Sequence, residues 1–223
     1  MLNKKNILAL SSILFLLLLS VLIYSFFSDF GLRDDEGFYL YYLKQGITEP
    51  TFTFFHSLGN IFGFIFSYQL LGFRLLNLLF LIISVNLSLI FCYQFYFSSN
   101  NLRNLDFYLI LSLVNIMTLG FFSFIPTFSY TSSATIACFM WSSLIFYISK
   151  NGRKEDAYYY LLLVFTFLFA ISSRIQLFVV LGGSLPLILF FINKFINKET
   201  NISIFKSLTV VSIFTITFLF FHL

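Results

Sequence analysis

Seven stretches of the chain are apolar almost without interruption: residues 7–27, 75–97, 107–125, 131–149, 157–173, 176–192 and 204–222. Each is close to the ~20 residues a helix needs to cross a bilayer, and charged residues collect in the short connections between them. An eighth stretch, 51–71, is apolar but carries His56, Ser57, Asn60, Ser67 and Gln69, with glycine at Gly59 and Gly63. Before it, residues 35–45 put Phe38, Tyr39, Tyr42 and Leu43 on one helical face and stop at Gly46. That pattern predicts a short amphipathic helix lying in the headgroup zone, and Pro50 then opens the next helix.

Charge decides whether 51–71 crosses the bilayer. With a cytoplasmic N-terminus and a non-crossing 51–71, nine of the 13 Lys and Arg fall inside: Lys4, Lys5, Arg103, Lys150, Arg153, Lys154, Lys194, Lys198 and Lys206. Arg33, Lys44, Arg74 and Arg174 fall outside. A crossing 51–71 inverts this distribution and opposes the positive-inside bias. The expected fold is therefore an all-α polytopic membrane protein, one module over 1–223, with seven spans and two juxtamembrane helices (35–45 and 51–71) in the first external loop.

Composition narrows the class without changing that picture. Hydrophobic residues make up 59% and charged ones 10%, an apolar excess that no soluble core of this size could bury. The 35 Phe against 10 Gly and 3 Pro suit lipid-facing helices and not the alternating strands of a barrel. The net charge of +4 comes from the connections and describes topology, so no nucleic-acid partner is expected. Cys92 and Cys138 sit inside apolar runs with no CxxC and no nearby His, which predicts structural thiols. The 7–27 run exceeds a usual signal-peptide core and lacks a small-residue cleavage pattern, so it reads as a retained helix. Gly182-Gly183 reads as close helix packing and Pro186 as a kink.

Candidate chemistry lies on the external side. Asp34, Asp35 and Glu36 are consecutive in a chain with only nine acids. One or two would serve as an N-cap and dipole partner for the 35–45 helix, but three repel one another beside lipid phosphate unless a cation offsets them. Asp35 and Glu36 are thus candidate ligands of a divalent cation such as Mg or Mn. Arg74 and Arg174 stand at the external ends of their spans, where burial at mid-bilayer, worth about 2.5–3.5 kcal/mol on insertion scales, is avoided. Their guanidinium forks suit a phosphate headgroup, although snorkelling anchors would sit there too. The run Pro126-Thr127-Phe128-Ser129-Tyr130-Thr131-Ser132-Ser133 reads as helix capping, or as a sugar pocket with Tyr130 as the stacking face. His56 is a weaker substrate-binding candidate, on a helix where a lone His is ordinarily an interfacial tip.

Asp35-Glu36-Gly37-Phe38-Tyr39 resembles the DE-x-x-Y motif that follows the first span in the GT-C class of polyprenyl-phosphate-sugar-dependent glycosyltransferases, which includes protein O-mannosyltransferases and aminoarabinose transferases. Pro50 with its aromatic run, Gly72-Phe73-Arg74-Leu75 (similar to a G-x-R-L opening of the second span) and Ser173-Arg174 (where members carry Thr-Lys) extend the likeness. The resemblance implies a seven-span module with two external juxtamembrane helices. It implies Asp35 as acid-base residue supported by Glu36 or Asp34, with Arg74 and Arg174 holding the lipid phosphate. Residues 125–135 lack the second acid of many members, and members commonly continue into further spans.

The leading expectation is a membrane glycosyltransferase of the cell envelope, in a bacterial inner membrane, that moves a sugar from a polyprenyl-phosphate carrier to an acceptor hydroxyl with inversion. Its partners are the lipid-linked sugar donor, membrane lipid and a partner polypeptide or continuation supplying a C-terminal part. Two other readings stay open: a non-catalytic or truncated membrane subunit of a glycan-assembly system, and a small lipid or solute transporter. The transporter reading is weakened by spans that carry no ionisable residue near their middles.

Overall fold

The computed structural model describes residues 70–96, 107, 110, 111, 113–118, 129–151, 156–195 and 204–220. Among them there is helix and no strand; the residues outside helices are the capping positions Ser129, Asp156 and Arg174. The predicted span 7–27, the 35–45 helix and residues 51–69 lie outside the described residues.

Five helices follow in order: α1 (Leu70–Tyr96), α2 (Tyr130–Asn151), α3 (Ala157–Ser173), α4 (Ile175–Phe195) and α5 (Ile204–Phe220). A further helical stretch occupies the described positions between 107 and 118, inside the predicted 107–125 span. Two helices, over Gly72–Phe95 and Thr131–Lys150, are long and apolar enough to cross a membrane. At ~1.5 Å per residue, α1 with 27 residues and α2 with 22 exceed the ~30 Å of a hydrocarbon core. The 17-residue α3 and α5 fall short of it. The described part of α1 extends ahead of the predicted 75, because Leu70, Leu71 and the Gly72-Phe73-Arg74-Leu75 step belong to the helix.

Contacts between the helices fix their directions. Lys150 Nζ donates to Gln94 Oε1 at 3.0 Å and Tyr147 meets Phe91 edge-on at 5.2 Å, so α1 and α2 run parallel and end together. The stretch between them returns antiparallel, with Phe107 against Tyr93 and Asn115 against Asn86. α3 turns back from α2 and brings Phe167 to Trp141 and Phe169 to Phe80. α4 reverses again, with Phe178 on Phe167, and α5 starts beside the start of α3, where the Tyr159 and Ser207 hydroxyls lie 2.7 Å apart.

α2 lies between α1 and α3, and α3 in turn packs against α4 and α5. The seam is made from alternating small and large residues: Ala137, Ser143 and Ala170 let backbones approach, while Leu144, Tyr159, Leu163 and Phe169 fill the space around them. Phe167 ties three helices together, edge-on to Trp141 of α2 and to Phe178 of α4. Outward-facing positions remain apolar, including Leu79, Ile83, Val179, Leu187, Phe190 and Ile216. Both cysteines are free thiols.

The expectation for Gly182-Gly183 needs correction. A methyl at Gly182 would meet the Phe167 ring at 3.5 Å, an ordinary contact, and one at Gly183 would meet nothing within 4 Å. The pair does not mark a site of forced close approach. Pro186 lies within α4, which continues through it.

Candidate functional site at the arginine end

The helix directions sort the described charges into two groups. Arg74 near the start of α1 and Arg174 between α3 and α4 lie at one end of the bundle. Lys150, Lys194 and Lys206 lie at the other, with Lys150 and Lys194 in the last turns of α2 and α4, where a cation complements the negative end of the helix dipole. Among the described residues the carboxylate, Asp156, is also at the lysine end. It caps α3, accepting from Tyr159 N–H at 3.0 Å and from the Tyr147 hydroxyl.

The arginine end holds both described guanidiniums. The N-terminal sides of α1, α2 and α4 and the C-terminal sides of α3 and α5 lie there together, so their dipoles largely offset one another and the arginines carry the charge of this end. Arg74 is 3% exposed, one turn into α1, a depth at which a cation works against the dipole of its own helix. The sequence reading had this side chain at a lipid boundary, whereas the fold encloses it in protein. Arg174 is exposed. Its extended backbone (φ −156°, ψ 138°) forms a one-residue hinge between two helices. Its N–H closes α3 on the Ala170 carbonyl at 3.1 Å, and its carbonyl starts α4 by accepting from Leu177 N–H at 3.0 Å.

Hydroxyls surround the two arginines along the chain, and most are already engaged. Ser129 caps α2: its hydroxyl accepts from Ser132 N–H at 3.2 Å while its own N–H donates to the Ser132 hydroxyl at 2.8 Å, a reciprocal capping box. Thr135 donates to the Thr131 carbonyl. Ser172 and Ser173 donate to Leu168 and Ala170 carbonyls, which satisfies the end of α3. Capping thus accounts for Ser129 and Ser132 of the 126–133 run, and Tyr130 is the first residue of α2. Ser133 and Asn77, both fully buried, belong to the same end of the bundle, about one turn after the first residue of α2 and about two turns after that of α1.

Asp34, Asp35, Glu36, Tyr39 and His56 lie outside the described residues, so the acidic part of the expected site is not joined to the arginines here. Among the described residues no cluster of three His, Cys, Asp or Glu stands ready for a metal.

The sequence reading passed over one polar pair altogether. Asn86 and Asn115 exchange amide hydrogen bonds at 2.9 and 3.0 Å, and each also donates to a carbonyl of its own helix, Ile82 at 2.7 Å and Leu111 at 2.8 Å. Attention to ionisable groups hid it. The available signal was an amide near the middle of each of two apolar runs, where an unbonded amide costs several kcal/mol.

No protein-family model, no curated protein and no solved structure matches the chain.

Proposed function

We propose that the chain is the membrane module of a glycosyltransferase that uses a polyprenyl-phosphate sugar, in a bacterial inner membrane with the N-terminus cytoplasmic and the arginine end outside. The observation that supports this reading is the pairing of charges: both described guanidiniums, Arg74 and Arg174, share one end of the bundle, and the described carboxylate is a bundle length away. Such an end suits an anionic headgroup whose tail lies along the apolar flank of the helices. Asp34, Asp35 and Glu36 precede α1 in the chain.

In the proposed reaction Asp35 takes the proton of the acceptor hydroxyl as its oxygen bonds to the anomeric carbon, with Glu36 and Asp34 supporting it. The bond from that carbon to the phosphate oxygen breaks, and the electron pair leaves with polyprenyl phosphate. This leaving group is a stable anion and needs charge stabilisation in place of a proton, which Arg174 and Arg74 supply. A single displacement inverts the anomeric centre.

The test is transfer of a labelled sugar from polyprenyl phosphate by the full chain in proteoliposomes. Asp35→Asn is expected to lower the rate by roughly 100-fold or more, the usual share of a general base. Arg174→Gln should lower it by roughly 10- to 100-fold, with its fold intact because the side chain is exposed. Undiminished transfer by Asp35→Asn would overturn the reading.

A further inference from the structure

The hydroxyl of Ser133 is fully buried and makes no hydrogen bond. Ser84, Thr135, Ser143 and Ser172 each turn their hydroxyl back onto a carbonyl of the preceding turn. The Ser129 carbonyl, which would serve Ser133 in that way, already accepts from Ser133 N–H at 2.9 Å and from the Ser132 hydroxyl at 3.0 Å, so both of its lone pairs are taken. Among the described residues the other buried side-chain polar atom outside any hydrogen bond is Oδ1 of Asn77, on α1. It is an acceptor, and its own helix has no N–H to offer it, because from the fifth residue of α1 onward each N–H is engaged by the carbonyl four residues back. A donor on one helix and an acceptor on the other are thus both left for a partner across the seam.

Register sets the two side by side. Lys150 donates to Gln94 across α1 and α2 at an offset of 56 positions, and Phe91 meets Tyr147 at the same offset. Asn77 and Ser133 share that offset, two heptads from the Phe91–Tyr147 pair. The rows are Asn77, Ser84 and Phe91 on α1 against Ser133, Met140 and Tyr147 on α2. Ser84 and Met140, one heptad in, are buried too, so the register carries along the seam. In parallel helices, residues at matching heptad positions meet in one layer, and a polar residue in such a layer fixes the register of its pair.

We propose that the Ser133 hydroxyl and Asn77 Oδ1 are the two halves of a clasp that closes the arginine end of the α1–α2 seam, as Lys150 and Gln94 hold its lysine end. In this structure the two atoms share a layer without being bonded, so the clasp stands open. A change of side-chain rotamer, or a small approach of the two helices, shuts it with Ser133 as donor and Asn77 as acceptor. Shut, it pins the register, because sliding α2 by one residue carries the hydroxyl off the oxygen. Open, it lets the first turns of α1 and α2 part while the lysine end stays joined.

The test is reversible unfolding of the full chain in mixed micelles, for wild type, Ser133→Ala, Asn77→Leu and the double variant. If the clasp shuts, each single change strands the polar atom opposite it and raises the unfolding equilibrium constant by roughly 3- to 20-fold, and the double variant recovers much of the loss. Effects of the two single changes that simply add, in either direction, overturn the proposal. Cross-linking gives a reading that does not depend on stability. With Cys92 and Cys138 replaced by alanine, oxidation should join the pair Asn77→Cys/Ser133→Cys within one chain and leave the pair Ser84→Cys/Ser133→Cys, one heptad out of register, unjoined. Failure of the first pair to join, or equal joining of both, overturns the shared layer and the clasp with it. Amide exchange locates the effect: Ser133→Ala should speed exchange in the first turns of α1 and α2 and leave the turns around Gln94 and Lys150 as in wild type, whereas equal acceleration at both ends overturns a device confined to the arginine end.

Discussion

The amide pair Asn86–Asn115 gives the most demanding test of the fold. Asn115 is 2% exposed and Asn86 partly buried, and all four amide hydrogens of the pair are used: two across the helices and two on local carbonyls. Asn115→Leu removes both cross-helix bonds and leaves Asn86 with an oxygen that has lost its donor. Interhelical hydrogen bonds of membrane proteins average about 0.6 kcal/mol and reach about 1.7, so two of them predict a loss of about 1–3 kcal/mol. Asn86→Leu should cost a similar amount. The double Leu variant removes both polar groups together and should recover much of the loss, because an apolar pair has nothing left to satisfy. The coupling is read from a double-mutant cycle on reversible unfolding in mixed micelles. Trp141, the lone tryptophan of the chain and buried edge-on to Phe167, is the fluorescent reporter. Effects of the two single changes that add to within about 0.3–0.5 kcal/mol would mean that the residues do not interact, and the reasoning would fail.

Four further outcomes follow from particular contacts. Asp156→Ala should lower stability by about 1–2 kcal/mol through loss of the α3 cap, whereas Asp156→Asn retains most of it; thermal unfolding of both variants checks this. Tyr159→Phe breaks the bridge to Ser207, with an expected cost of about 0.5–1.5 kcal/mol and faster amide exchange at the start of α5. Gly183→Ala should stabilise α4 by up to about 1 kcal/mol, because the added methyl meets open space and the helix loses a flexible residue. Single cysteines at Arg174 and Lys194, both exposed, should be labelled by an impermeant maleimide from opposite sides of sealed vesicles; labelling from one side would refute the end assignment.

Much of the fold was legible in the sequence because helix boundaries in such a chain are set locally. Apolar runs end where Lys150, Asp156, Arg174 and Lys194 appear, and the 157–173 helix starts and stops where those residues imply. The alternation of runs also fixed that Arg74 and Arg174 share one end, since each reversal of direction follows from counting helices. Capping at Ser129 was legible for the same reason: a hydroxyl before an apolar run serves the first turn of its own helix.

What only the tertiary structure decided concerns which face of each helix meets a neighbour. In a chain apolar on all sides, periodicity does not separate protein-facing from lipid-facing positions, so neither the enclosure of Arg74 nor the outward turn of Gly183 could be read from the sequence. Pairings between distant residues were equally hidden. Asn86 finds Asn115 across 29 positions, and Ser133 comes level with Asn77 through a register set at the far ends of α1 and α2. The sequence determines which segments become helices and in what order they reverse, because those choices depend on transfer free energy along the chain. Side-chain partners depend on rotation and register between helices, which packing alone selects.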